Sequence, residues 1–220
     1  MIITEQKPFE EILAMLAGHD RVFLIGCSVC ATTWGTGGEK EVREMAARLE
    51  EAGKVCVGWL IPEGPTCEAY NTRAELQRCK AEVSTADALL VLACGAGVQA
   101  VGSFRGKPNY PALNSLFVGQ FRRPTLADER CRLCGECILA ETGGLCPVAL
   151  CPKELMNGPC GGYEASHCEV DRTRPCAWVA IYQRMKKLDQ MEKFKAIRPP
   201  KDWSKRRRPG VANKSPEVAS

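Results

Sequence analysis

No stretch of this sequence approaches the roughly 18 consecutive apolar residues that a membrane-crossing helix needs. The opening, MIITEQKPFEEIL, has no basic start, no apolar stretch and no small-residue cleavage site. It therefore lacks the marks of a secretory signal, and a cytoplasmic protein is expected. Histidine is scarce, with 2 residues, and aromatics make up only 6%. No Ser/His/Asp arrangement, paired carboxylates or other hydrolytic motif occurs, so no residue is given a catalytic role. The glycine loop WGTGGEKEV lacks the full GxGxxG spacing and is a weak nucleotide signal; its glycines are better suited to wrapping a neighbouring site.

Sulfur is abundant by contrast. The chain carries 14 cysteines in 220 residues. In a reducing compartment disulfides are rare, and clustered cysteines read as metal ligands or redox groups. Cys56, within KVCVGWL, and Cys79, on a helix, fit the plainer role of small buried hydrophobes. The eight cysteines from Cys131 to Cys176 do not. Charge is also unevenly placed. Gln183 to Arg208 holds 11 Lys/Arg against 3 Asp/Glu, a local +8 within a chain of net +4, so a mildly acidic body carries a basic tail. That tail has few interleaved aromatics and does not point to nucleic acid.

The first 121 residues alternate in α/β fashion. PFEEILAML, EKEVREMAARLEEAG, TRAELQRCKAEVSTA and AGVQAVG read as helices, and RVFLIGC, KVCVGWLIP and DALLVLACG as strands. Continuous apolar strands separated by helices predict a small open doubly wound parallel sheet. Residues 122–198 form a second region rich in Cys, Gly and Pro, which buries too little to hold itself without cross-links. It ends in one helix, CAWVAIYQRMKKLDQMEKF, with Trp178, Ile181, Met185 and Leu188 on one face. Residues 199–220 are expected to be a mobile basic tail.

Cys131, Cys134 and Cys137 form C-x-x-C-x-x-C, the local grammar of bacterial four-iron clusters. The expected next element, C-x3-C-P, is displaced: the Cys-Pro pairs are Cys146-Pro147 and Cys151-Pro152. Eight thiolates (Cys131, Cys134, Cys137, Cys146, Cys151, Cys160, Cys168 and Cys176) suit two sites of four, and spacing alone does not partition them. Zinc would use the same ligands. His167, beside Cys168, is a minor alternative ligand. A second constellation lies at the strand ends: Cys27 and Cys30 after the first strand, Cys67 beyond the second, Cys94 closing the third. Ligands gather at the carboxyl ends of parallel strands, so these four are expected to converge. A dithiol redox pair of Cys27 and Cys30 is the alternative.

The segments GCSVCATT, GGEKEV, LLVLACGAGVQAV, YPALNSLFVG and ERCRLCGECILAETGGLCPVALCPKELMNGPCGG, with CEV and CAW beyond, resemble the MetV-type iron–sulfur subunit of methylenetetrahydrofolate reductase. The resemblance runs from about Arg21 to Arg184 and rests above all on the cysteine block. It implies an electron-transfer subunit, inactive alone, with up to three 4Fe-4S clusters on the twelve matching cysteines and zinc as an alternative metal. It further implies a separate flavin-bearing TIM-barrel partner that reduces 5,10-methylenetetrahydrofolate in Wood–Ljungdahl-type one-carbon metabolism, and an external electron-donor protein. KPNYPALNSLFVGQF is either a contact for that flavoprotein or a strand and turn closing the α/β domain.

Overall fold

Four consecutive buried residues, Val22 to Ile25, leave the second strand of the chain no exposed face beyond Arg21, as expected at the centre of a parallel sheet. In the computed structural model, which describes residues 1–103, 106–206, 209–210 and 212, the chain divides into two compact units, Met1–Asp128 and Glu129–Ser220.

The first unit runs β1 (Ile2–Gln6), α1 (Phe9–Met15), β2 (Arg21–Ile25), α2 (Cys30–Trp34), α3 (Glu39–Glu51), β3 (Val55–Leu60), α4 (Ala69–Arg78), α5 (Lys80–Thr85), β4 (Ala88–Val91), α6 (Gly95–Gly102), β5 (Asn109–Pro111) and β6 (Leu113–Arg123). β2, β3, β4 and β5 form the parallel sheet, in the order β3-β2-β4-β5. Its core is the apolar content of β2 and β4 against Ile12, Leu16, Val42, Met45, Leu49, Leu76 and Val101, all 0–1% exposed. α3 begins where the Glu41 carboxylate accepts the Gly38 N–H at 2.9 Å, and it buries Val42, Met45 and Leu49 at helical spacing.

Three features differ from the sequence expectation. A second sheet, antiparallel where β1 meets β6, has the order β1-β6-β7, with β7 spanning Leu126–Cys131. These strands run through residue 122, where sequence periodicity placed the domain boundary. The single helix expected over Thr72–Ala86 is two, interrupted at Cys79. KPNYPALNSLFVGQF forms β5 and most of β6.

The second unit contains α7 (Pro147–Leu150), α8 (Ala177–Lys187) and α9 (Met191–Lys195). The expected C-terminal helix breaks at Leu188–Gln190, where Asp189 adopts φ 53°. Trp178, Ile181 and Met185 are buried as expected, whereas Leu188 is 39% exposed. Of the tail, residues 207–208, 211 and 213–220 lie outside the described residues, and residues 199–206 are held by side-chain contacts taken up below. Among the described residues no helix is long and apolar enough to cross a membrane.

Candidate functional site

The sheet order fixes the first site. From β2 the chain crosses to β3 on one side, then returns to β4 on the other, so the crevice between β2 and β4 at their carboxyl ends is a topological switch point. Cys27 lies two residues past β2, and Cys94 is the N-cap of α6 just past β4. Cys30 opens α2. The loop after β3 brings Cys67 in because its neighbours are stitched to the β2 loop. The Thr66 hydroxyl, fully buried, donates to the Gly26 carbonyl at 2.7 Å, and the Ser28 hydroxyl donates to Gly64 O at 2.9 Å. Sequence reasoning missed both ties, and Thr66 carries no signal beyond its place in PTC.

Burial pushes the Cys67 thiol up, and the charges of Cys94, Cys27 and Cys30 push it further. Cys27 behaves oppositely: burial opposes its ionisation, but the backbone N–H groups of Thr66, Val29 and Ala31 donate to its sulfur and hold its pKa below the ordinary thiol value. The fold therefore favours the Cys27 thiolate. That contribution is present above the ordinary thiol pKa and is lost as pH falls through the lowered one; for Cys67 the sign is reversed. In metal-free protein, Cys27 is expected to ionise at lower pH than Cys67. Carbon NMR of labelled cysteine checks this, and the reverse order would contradict the amide cradle.

The glycines beside this site serve close approach. Cys27 N–H donates to Gly37 O at 2.9 Å, and a Cβ on Gly26 would stand 2.6 Å from that same carbonyl. The N-terminus of α3, where a phosphate would sit in a nucleotide loop, is filled by the Glu41 carboxylate.

In the second unit four of the eight cysteines line one pocket, and the other four lie earlier in the chain. Cys131 ends β7, and the turn carrying Cys134 and Cys137 passes through left-handed Leu133 (φ 51°) and Gly135 (φ 79°). Leu133 N–H points at Cys131 Sγ, 3.4 Å away. Cys146 caps α7 ahead of Pro147. Burial raises its pKa, the Ala149 and Val148 N–H groups oppose this, and the charges of Cys134 and Cys131 add to it. The charges of Cys134 and Cys131 thus reach Cys146, and Cys137 follows in the same C-x-x-C-x-x-C run. The remaining four, Cys151, Cys160, Cys168 and Cys176, line one small cavity of about 20 Å³ with Pro152, Tyr163 and Trp178.

The remaining candidates lie elsewhere. Cys56 and Cys79 pack against the apolar core of the first unit. His19 bonds the Tyr110 hydroxyl at 2.9 Å, and His167 Nδ1 lies 2.9 Å from Ala165 O in its own turn. Among the described residues, no three or more His, Cys, Asp or Glu side chains are grouped as they would be to hold a single metal ion.

The chain thus joins an open parallel α/β unit, with Cys27, Cys30 and Cys94 near its strand ends, to a glycine-laced unit that carries eight cysteines. Within the chain, residues 110–204 match the family described as methylene-tetrahydrofolate reductase C terminal. That segment holds all eight downstream cysteines and β5 to α9, while Cys27, Cys30, Cys67 and Cys94 precede it. No curated protein and no solved structure matches the chain.

Proposed function

We propose that the chain is the iron–sulfur electron-transfer subunit of a flavin-dependent methylenetetrahydrofolate reductase complex, passing electrons between an external donor and the flavin of a catalytic partner. The carrying observation is the cavity walled by Cys151, Cys160, Cys168 and Cys176. Four cysteines line it, with Tyr163 and Glu169 as the oxygen-bearing side chains, and they come from four separate turns of a segment with little apolar core of its own.

The residues fit the group. Cys27, Cys30, Cys67 and Cys94 would hold one 4Fe-4S cluster; Cys131, Cys134, Cys137 and Cys146 a second; Cys151, Cys160, Cys168 and Cys176 a third. Bound there, such clusters supply one-electron transfer at a potential set by hydrogen bonds to sulfur and by exposure. The chain contributes those hydrogen bonds: three amides at Cys27, one at Cys131 and two at Cys146. Trp178, 1% exposed, keeps water from one side of the third set. The family match supplies the connection to methylenetetrahydrofolate reductase, and hydride-level chemistry falls to the partner's flavin.

Protein prepared without oxygen and supplied with iron and sulfide is expected to be brown and to hold about twelve of each atom, the content of three cubanes. Cys160→Ser with Cys168→Ser should remove about one third of both, and the loaded chain should reduce the flavoprotein's flavin when given a donor. A colourless chain holding zinc without sulfide would establish a structural zinc subunit instead.

A further inference from the structure

The sequence places Glu136 between Cys134 and Cys137, and the structure lays the segment Arg198–Arg206 across it. Arg198 is the anchor. Its side chain is 8% exposed, and its guanidinium donates to Glu141 Oε2 and Glu141 O, both at 2.7 Å, with longer bonds to Met156 O and Lys193 O at 3.4 Å. Its backbone is clasped as well: Arg198 N–H donates to Asn157 Oδ1 at 2.8 Å, and Asn157 Nδ2 donates to Arg198 O at 2.9 Å. Pro199 and Pro200 then carry the chain with fixed φ and no donors to satisfy. Lys201, only 3% exposed, donates to Glu136 O at 2.7 Å, with its ammonium 3.9 Å from Glu136 Oε2; Lys205 pairs with Glu136 Oε1.

Backbone packing completes the closure. A Cβ on Gly135 would meet Lys205 C at 2.7 Å and Arg206 N at 3.2 Å. Gly135 thus serves two ends, the left-handed turn and room for the segment above it. Cys137, Ile138 and Met156 line a cleft together with Arg198, Pro199, Pro200 and Lys201. Two nearly buried cations, each paired with a carboxylate from the cysteine-bearing region, make a specific clasp, because a buried charge left without its partner is strongly unfavourable.

We infer that Arg198–Arg206 is a strap that fixes the Cys131–Cys137 turn in its ligating shape, with Arg198 and Glu136 as positioning residues and the two lysines neutralising the carboxylate set among the thiols. The role of that turn as ligand rests on the function proposed above; the clasp itself does not. Lys201 and Lys205 face Glu136, and Arg198 faces Glu141, so the strap brings positive charge to two carboxylates that flank the cysteine-bearing turn. The basic C-terminal region thereby acquires a local function in its first nine residues.

The test uses the full-length protein, a chain ending at Ile197, a chain ending at Arg206 and the Glu136→Ala variant. Hydrogen–deuterium exchange is followed in metal-free protein, and iron is measured after anaerobic loading. Removing the strap is expected to speed exchange of amides 132–138 by about tenfold or more, as loss of a charged buried anchor implies, while amides 160–176 stay within about twofold. The chain ending at Arg206 should match full length. Glu136→Ala should also speed exchange at 201–206, since the clasp is mutual. Loaded, the chain ending at Ile197 should lose about one third of its iron. Equal acceleration across the whole second unit, or none at 132–138, overturns the strap. A full-length chain that takes up no iron overturns the ligand role alone, with the exchange result still deciding the clasp.

Discussion

Trp178→Ala is expected to cost about 3–5 kcal/mol, the range for truncating a buried large aromatic, and to unfold the second unit of metal-free protein while the first persists. The reason is how little else that unit buries. Its core consists of Cys176, Trp178, Ile181 and Met185, with Leu145, Leu155, Val179, Met191 and Phe194 partly buried around it. Trp178 also donates its indole N–H to Leu155 O at 2.9 Å and meets the Phe194 ring edge-on, centroids 6.0 Å apart. Alanine removes the packing, the hydrogen bond and one wall of the four-cysteine cavity together. Against a total stability of about 5–15 kcal/mol for an ordinary domain, that loss is most of what a small unit has. Calorimetry should show a separate early transition for the variant. A single transition within about a degree of the parent would mean that the thiol loops, rather than this ring, organise the unit.

Gly37→Ala should act just as locally at the other end of the chain. The new Cβ would fall far inside contact distance of the Leu92 carbonyl oxygen and 3.0 Å from Ala31 Cβ. Leu92 is held by its own N–H bond to Ile25 O at 2.7 Å, so neither backbone gives way easily. Overpacking of this kind costs about 1–3 kcal/mol, occasionally more. The shift also strains the bond from Cys27 N–H to Gly37 O, so under the iron–sulfur function proposed above the variant should lose about one third of its iron. Gly53→Ala is the control. It carries a left-handed φ of 82° with nothing within 4 Å, so it should cost about 1 kcal/mol through backbone strain alone and leave the site intact. Equal iron content in parent and Gly37→Ala, with an unchanged denaturation midpoint, would refute the close-packing account.

How much of this was legible depended on range. VFLI and ALLV read directly as buried parallel strands because two covered faces leave no polar alternation. The strand-end positions of Cys27, Cys30 and Cys94 followed from that reading. Cys67 was harder, because its place depends on Thr66 reaching Gly26, forty positions away, and no local pattern encodes such a bond. That Cys151, Cys160, Cys168 and Cys176 line one pocket was illegible for the same reason: spacing within a turn is local, whereas the company these cysteines keep is set by the folded path. β1 was missed because IITEQ is five residues long and buries only Ile3 and Thr4. The expected mobile tail failed in part because a run of basic residues looks solvated until a carboxylate such as Glu136 is found beneath it.

The strand order carries a consequence for synthesis. The strand ends that carry Cys27 and Cys94 are neighbours only once β4 has been laid beside β2, so during translation the early thiols wait until the second crossover has emerged from the ribosome. The quartet from Cys151 to Cys176 needs no such delay, for its whole wall is made within one short span. Loop closure takes far less time than adding residues on the ribosome, so the N-terminal crevice can form before the later cysteines are made, and the order of completion follows the order of synthesis.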